Sequence, residues 1–437
     1  MPSDPAIVQH AELDKGLGTP GFTWRHQSMP QAEKLFEELL ELSGGGPGVT
    51  RAAYTPSESA ALDFVERTAK KYQLQTARDR AANLVISLPE QDPRLPFVFV
   101  GSHLDSVPHG GNYDGAAGVI AGLLCLVRLR LEGKVPPRGI KVLALRGEES
   151  PWFETACLGS RALFGELAED LARHHRSTGL SLREHLQAVG ANIELIASSR
   201  KLVEPSQIAA YYELHIEQGP IMVERKVPVG VVSGIRGILR FPSINCFGEE
   251  GHSGAVPREL RRDAVSAAVE LLHRIDSHWT KLLDQGVDLV ITSGMLSTPP
   301  ENHSPSRIAG EIAFSLDVRS IDRDVLENLR TFIRAEMETV QRERNVKFKI
   351  GTEYLTPPER MDFTLRAHMT ELAERYKIPY IEIASGSGHD AMVFARNRIP
   401  SAMIFVRNEH GSHNPNEGMS MSDFLQACEL LYRALSE

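Results

Sequence analysis

Five residues of the types that hold metals stand just beyond predicted strands, and their spacing suggests one joint site. His103 and Asp105, in Gly101-Ser-His103-Leu-Asp105, are two apart at a strand end, so both side chains face one side. That spacing suits a metal-bound imidazole whose other nitrogen is steadied by a carboxylate. Asp114 lies in the turn Gly110-Gly-Asn-Tyr-Asp114-Gly115, just before a helix. Alone it reads equally well as a helix cap or as a ligand. Glu148 and Glu149 follow the apolar run Ile140–Leu145. Adjacent carboxylates there cost solvation unless a cation neutralises them. Neighbouring side chains diverge, so one can bind a metal while the other reaches its water. An isolated pair of this kind also reads as an exposed acidic loop. His215, in Leu-His215-Ile-Glu217-Gln218-Gly, would alone be a core histidine. His413, in Gly411-Ser-His413-Asn-Pro415, follows another apolar strand. Together, His103, Asp114, Glu149, His215 and His413 have the composition of a two-zinc site. One carboxylate bridges, and each metal keeps an open position for water.

Such a site needs strands that end at a common edge. Asn83–Leu88, Phe97–Ser102, Ile140–Leu145, Tyr211–Leu214, Tyr380–Ile383 and Ala402–Val406 are short apolar runs. They alternate with helical patterns at Gln31–Leu42, Ser57–Tyr72, Ala116–Leu131, Phe363–Tyr376, His389–Ala395 and Ser422–Ser436. Gly44-Gly45-Gly46 stops the first helix, and residues 165–206 read as helical and charged. This predicts an α/β fold with a mostly parallel sheet covered by helices on both faces. Ligands in such sheets gather outside the carboxyl ends of the strands. The pattern changes over Val227–Phe247, Arg262–His278, Val287–Ser293, Glu311–Val318 and Arg323–Arg344, which read as an inserted α+β domain. The expected division is 1–217 for the first part of a catalytic domain, 218–335 for the insertion and 336–437 for the second part.

The chain has 437 residues, 42% of them hydrophobic and 24% charged, with a net charge of −9. This composition excludes disordered, collagen-like and disulfide-stapled chains, and the acidity argues against general nucleic-acid binding. The four scattered cysteines suggest reduced thiols of a cytoplasmic protein. The N-terminal residues have no leader-like pattern, and no apolar run is long enough for a membrane span.

The segments GSHLDSVPHGGNYDGAAGV, GEES, ELHIEQGP, GHSGAVP, SGSGHDA and GSHNPNE resemble the dinuclear-zinc aminoacylase/carboxypeptidase family. They are most similar to its hydantoinase/carbamoylase branch, which includes N-carbamoyl-L-amino-acid hydrolases, β-ureidopropionases and allantoate amidohydrolases. The resemblance implies a di-zinc exopeptidase-like catalytic domain and an inserted lid that forms a homodimer. It implies one metal at His103, Asp114 and His215 and a second at Asp114, Glu149 and His413, with Mn2+, Co2+ or Ni2+ as alternatives to Zn2+. It implies Glu148 as the general base and His252 of the lid as the oxyanion donor, and Asp105, beside His103, is counted with them among the catalytic residues. The expected reaction is hydrolysis of an N-carbamoyl amino acid or an allantoate-like ureido acid by a water that bridges the metals. N-acyl-amino-acid deacylation, dipeptide hydrolysis and a non-catalytic binding role are the alternatives.

The substrate would be a small carboxylate-bearing molecule. By resemblance its carboxylate falls to Arg319, which otherwise reads as a rim arginine paired with Asp317. Gln218, Gly388 and His389 match pocket segments, and His389 reads equally as a helix-start residue. The sequence departs from the family at Ser306, where Asn is usual, at Arg258 after the lid motif, and at Arg407. Arg407 is either a new anion contact or a brace for its loop.

Overall fold

The computed structural model describes residues 29–43, 46–89 and 95–437. The N-terminal segment read for a leader and Gly44-Gly45 of the first turn lie outside the described residues. Residues 234–360 form one compact unit, and the rest of the described chain forms another, the body.

The body opens with β1 (Gln75–Arg78), β2 (Leu84–Ser87), β3 (Phe97–His103), β4 (Ile140–Leu145), β5 (Ile208–Ile216) and β6 (Val229–Ile235). In the inserted unit follow β7 (Gly237–Phe247), β8 (Val290–Thr292), β9 (Leu296–Ser297), β10 (Glu311–Ser320), β11 (Lys347–Ile350) and β12 (Tyr354–Thr356). The body resumes with β13 (Tyr380–Ser385) and β14 (Ser401–Val406). Its sheet order is β1-β2-β4-β3-β5-β14-β6, with β13 also paired to β6. The four central strands β4, β3, β5 and β14 are parallel. The flanking pairs β1–β2, β2–β4 and β14–β6 are antiparallel.

Alternate residues of the central strands serve the two faces. Val98, Val100, Ala210, Tyr212, Leu214, Ala402 and Ile404 pack under the helices Pro56–Lys71, Ala116–Glu132 and Met421–Ser436. The opposite parity brings Phe99 and Tyr211 against Phe394 of the helix Asp390–Arg396. His103 and His215 belong to this second set. They emerge at the carboxyl ends of neighbouring strands, on the face beside that smaller helix.

The insertion begins and ends later than expected. β6 pairs with β14 from Val229 to Val231, so the chain remains in the body well past residue 217. β11 and β12 pair with β7, which carries the inserted unit beyond residue 335 to Arg360. Its antiparallel sheet has the order β9-β10-β7-β11, with β8 on β10 and β12 on β7. Ile312, Phe314, Leu316 and Val318 of β10 face the helices Ala264–Asp284 and Arg323–Arg344. Residues 165–206 are not one helical stretch. Ser181 and Asn192 cap two separate short helices, Leu182–Ala188 and Ile193–Ala197, because their side chains satisfy backbone donors at fresh starts.

Phe394 tests the packing behind the site. Its ring is fully buried, stacks on Tyr211 with centroids 3.8 Å apart and meets Phe164 edge-on at 5.2 Å. Phe394→Ala should cost about 3–5 kcal/mol. Urea unfolding should show a lower midpoint at an unchanged slope. A cost below about 1 kcal/mol would mean that this face is not close-packed.

Candidate metal and active site

The carboxyl ends of the parallel strands bring the five expected ligands together. His103 ends β3, His215 lies on β5, Glu149 follows β4 and His413 follows β14. Asp114 precedes the helix Ala116–Glu132, but it does not cap it. Gly115 holds the cap position at φ +65°, without a side-chain cap. A Cβ there would lie 2.4 Å from Cε1 of His103, so the turn has room only for glycine. The Asp114 carboxylate is thereby free to face the histidines.

Its two oxygens divide the site. Oδ1 lies 3.1 Å from His215 Nε2 and 3.5 Å from His103 Nε2. Oδ2 lies 3.4 Å from His413 Nε2, which is also 3.4 Å from Glu149 Oε1. Metal–ligand bonds of roughly 2.0–2.2 Å in a tetrahedral shell set neighbouring ligands roughly 3.3–3.6 Å apart. The observed spacings fit that geometry for two groups, His103-Asp114-His215 and Asp114-Glu149-His413. Asp114 Oδ1 and Glu149 Oε1 are buried and accept no hydrogen bond. Orphaned acceptors of this kind call for a cation. A further grouping, His103-Glu148-Glu149, shares the same pocket.

The backbone fixes the imidazole tautomers. His103 Nδ1 lies 3.0 Å from the Asp105 carbonyl, and His215 Nδ1 lies 2.9 Å from the Ile216 carbonyl. Each Nδ1–H donates to a carbonyl, which leaves the Nε2 lone pair pointing into the site. The Asp105 carboxylate stands farther from His103 Nδ1, at 3.5 Å. It accepts instead from the Glu148 and Glu149 amides, each at 3.0 Å. Asp105 thus steadies the histidine with its carbonyl and the double-glutamate turn with its side chain. Glu58 supports the same turn, accepting from the Gly147 amide while paired with buried Arg146 at 2.6 Å. The Glu148 carboxylate accepts from the Cys157 thiol at 3.4 Å and lies 3.9 Å from His103 Nε2.

The charges are strongly coupled. Burial opposes the imidazolium of His103, but Asp105, Asp114 and Glu148 outweigh it and raise its pKa well above the ordinary value. His215 is raised against burial by Asp114. His413 is raised to about 10 by Asp114 and Glu149. Burial pushes Glu148 well up, with Glu149, Asp390 and Asp105 adding to it.

The remaining predicted residues divide between the two units. Gln218 donates to Asp114 Oδ2 at 2.8 Å, and its own amide donates to Asn408. His389 is buried beside His215, with ring centroids 4.4 Å apart. It holds the cap position of the helix Asp390–Arg396, and its Nε2 lies 2.9 Å from Ser385 Oγ. Gly388 lies in open space, where a Cβ would meet only Met392 at 3.9 Å. Arg407 pairs with Asp423 at 2.7 Å, so it braces its loop. In the inserted unit, exposed His252 pairs in register with Arg307, and the Ser253 amide donates to the Ser306 carbonyl. Arg319 pairs with Asp317 at 2.6 Å, and Asp317 also pairs with Arg240.

Two supporting residues escaped the reading of the sequence. Arg51 is fully buried and donates to the Leu104 carbonyl and to Asn112. It therefore ties the His103 strand end to the Asp114 turn. Glu417 lies within the segment GSHNPNE and accepts from the Tyr113 amide at 2.8 Å. Arg51 carried no spacing signal, and Glu417 was visible only as part of a longer segment.

The chain is similar to known proteins along most of its length. Residues 99–437 match the model of peptidase family M20/M25/M40. An N-carbamoyl-L-amino acid amidohydrolase of Geobacillus stearothermophilus is 32% identical over 414 residues, covering 93% of this chain and 98% of that protein. An allantoate amidohydrolase of Escherichia coli (strain K12) is 31% identical, over 88% of this chain and 91% of that protein. A hydantoinase/carbamoylase family amidase of Burkholderia multivorans superposes with a TM-score of 0.84 at 27% identity, over 93% of this chain and 97% of that one. The chain belongs to peptidase family M20/M25/M40.

The raised imidazoles predict how metal binding responds to pH. Asp114 and Glu149 raise His413 to about 10, so a metal must displace its proton at neutral pH. Binding should therefore release protons, and affinity should weaken as pH falls. Titration calorimetry at neutral pH in two buffers of different ionisation enthalpy should give different apparent heats. Identical heats would contradict protonated ligands in the metal-free protein.

Proposed function

We propose that this chain is a metal-dependent amidohydrolase that cleaves the C–N bond of an N-carbamoyl amino acid or an allantoate-like ureido acid. The observation that carries this reading is the placing of three imidazoles around the two oxygens of Asp114, in a chain related along most of its length to amidohydrolases of such substrates. His103, Asp114 and His215 would hold one divalent ion, and Asp114, Glu149 and His413 the other. Imidazole and carboxylate donors suit Zn2+, with Mn2+, Co2+ and Ni2+ compatible. Bound there, the ions supply Lewis acidity to water and to the scissile carbonyl.

The chain's own residues then move protons and fix the substrate. Glu148 takes the proton of the attacking water and delivers it to the leaving nitrogen. His252 donates to the oxyanion as the tetrahedral intermediate forms. Arg319 pairs with the substrate carboxylate in a bidentate fork, in place of its contact with Asp317. Gln218, Ser306, Gly388 and His389 complete the pocket. The inserted unit serves as the lid and the dimer interface. The four cysteines are free and buried, in keeping with a cytoplasmic home. Among the described residues no helix is long and apolar enough to cross a membrane.

Turnover on N-carbamoyl, N-formyl and N-acetyl amino acids and allantoate, with each candidate metal supplied, tests the substrate class. Ureido substrates should lead. A preference for N-acetyl compounds would make the chain a deacylase. Glu148→Gln keeps the shape and loses the proton acceptor, so turnover should fall by about 10²–10⁴ while metal content is retained. Near-normal activity would remove Glu148 as the base.

Arg319→Ala should raise the Michaelis constant by roughly 10- to 150-fold. It should also abolish the preference for an acid over its matching amide. Lysine should restore this only partly, because it lacks the planar fork. An unchanged preference would leave Arg319 as a partner of Asp317 alone.

A further inference from the structure

Asp114 can divide its oxygens between two metal positions only if its turn is held at a fixed distance from His413. Glu417 supplies a hold of this kind from the His413 side. Its Oε1 accepts from the amides of Tyr113 and Asp114, at 2.8 and 3.2 Å. Its Oε2 lies 2.6 Å from Ser412 Oγ, and the same hydroxyl contacts Asp114 Oδ2. Ser412 is the residue before His413. One buried carboxylate therefore joins the turn of the bridging ligand to the turn of the last ligand, across 298 positions of sequence.

Two further observations point the same way. The turn passes so close over Glu417 that a Cβ on Gly111 would lie 2.1 Å from its carboxyl carbon. His413 sits in left-handed backbone at φ +61°, a conformation that a residue with a side chain keeps only when its surroundings impose it. Ser412, held between Glu417 and Asp114, is the adjoining anchor.

We propose that Glu417 is a positioning residue that sets the separation of Asp114 and His413, and so the affinity of the second metal position. It touches neither substrate nor reacting atoms. The proposal rests on the ligand assignment given above. Supporting groups of this kind typically change metal affinity by about 10- to 100-fold when removed.

The test uses the full chain, with zinc supplied and competed against a chelator, and reads the two binding steps separately. Glu417→Ala should leave the first step near its parental value and weaken the second by about 10- to 100-fold. Turnover should follow second-site occupancy and recover with excess zinc, with the Michaelis constant unchanged. Glu417→Gln should retain most of the second-site affinity. Its carbonyl can still accept both amides, and its NH2 can donate to Ser412. Ser412→Ala leaves the two amide contacts in place and should weaken the same step less, which keeps the proposal testable if the Glu417→Ala chain fails to fold. Parental affinity at both steps in Glu417→Ala would overturn it. So would an equal loss at both steps accompanied by a lower melting temperature, because that is the signature of a role in folding alone. A parental chain that binds no metal would instead sink the ligand assignment itself.

Discussion

The body is organised around the neutralisation of buried negative charge at one edge of a sheet. Asp105, Asp114, Glu148, Glu149 and Glu417 are all buried. Carboxylates removed from water are tolerated only with cations or hydrogen-bond donors around them. The histidines beside them, whose pKa values these carboxylates raise, meet part of that demand. Arg51 meets more of it, donating to the Leu104 carbonyl and to Asn112 in loops that carry proposed ligands, while Arg146 pairs with Glu58 under the double-glutamate turn. Divalent ions, held as proposed above, would meet the remainder. The site is therefore unstable as a set of bare charges and settled as a set of ligands. The choice of residues around it follows from that imbalance.

The sheet converts this demand into geometry. Four adjacent parallel strands deliver their carboxyl ends to one edge, and each carries or precedes a ligand. Because side chains alternate, His103 and His215 share a face, while their neighbours Ser102 and Leu214 turn to the other. Ser102 nevertheless donates to Glu213, which shares the parity of His215 and whose carboxylate accepts from the Ala391 amide. Glu213 thus anchors the start of the helix that His389 precedes. The backbone carbonyls of Asp105 and Ile216 hold the imidazole protons, so the orientation of the rings is set by main chain rather than by exposed side chains.

The central strands and the clustered histidines and carboxylates were legible in the sequence for the same reason. A strand buried on both faces must be an unbroken apolar run, and a histidine or carboxylate just after such a run stands out. β1 was not legible. Gln75-Thr-Ala-Arg78 is a polar edge strand, largely exposed, and nothing in its composition separates it from a loop. The limits of the insertion were misplaced because β6 and β7 are consecutive Gly-containing β runs. Which sheet each joins is decided by partners far away in the chain. Residues 165–206 have helix-forming composition, but capping side chains divide them. Arg51 and Glu417 act through hydrogen bonds to distant loops, and such partnerships leave no local pattern.

The position of β14 has a consequence for how the chain is made. In the sheet it lies between β5 and β6, yet residues 217–400 are synthesised between β5 and it. While they emerge, the inner edge of β5 has no neighbour, and an unpaired apolar edge is a site for wrong pairing. The inserted unit has its own sheet and core and can collapse during this interval. A metal ion captured early would find His103, Asp114 and His215 but not His413. With the ligands proposed above, the second ion could be held only after His413, beyond β14, had emerged.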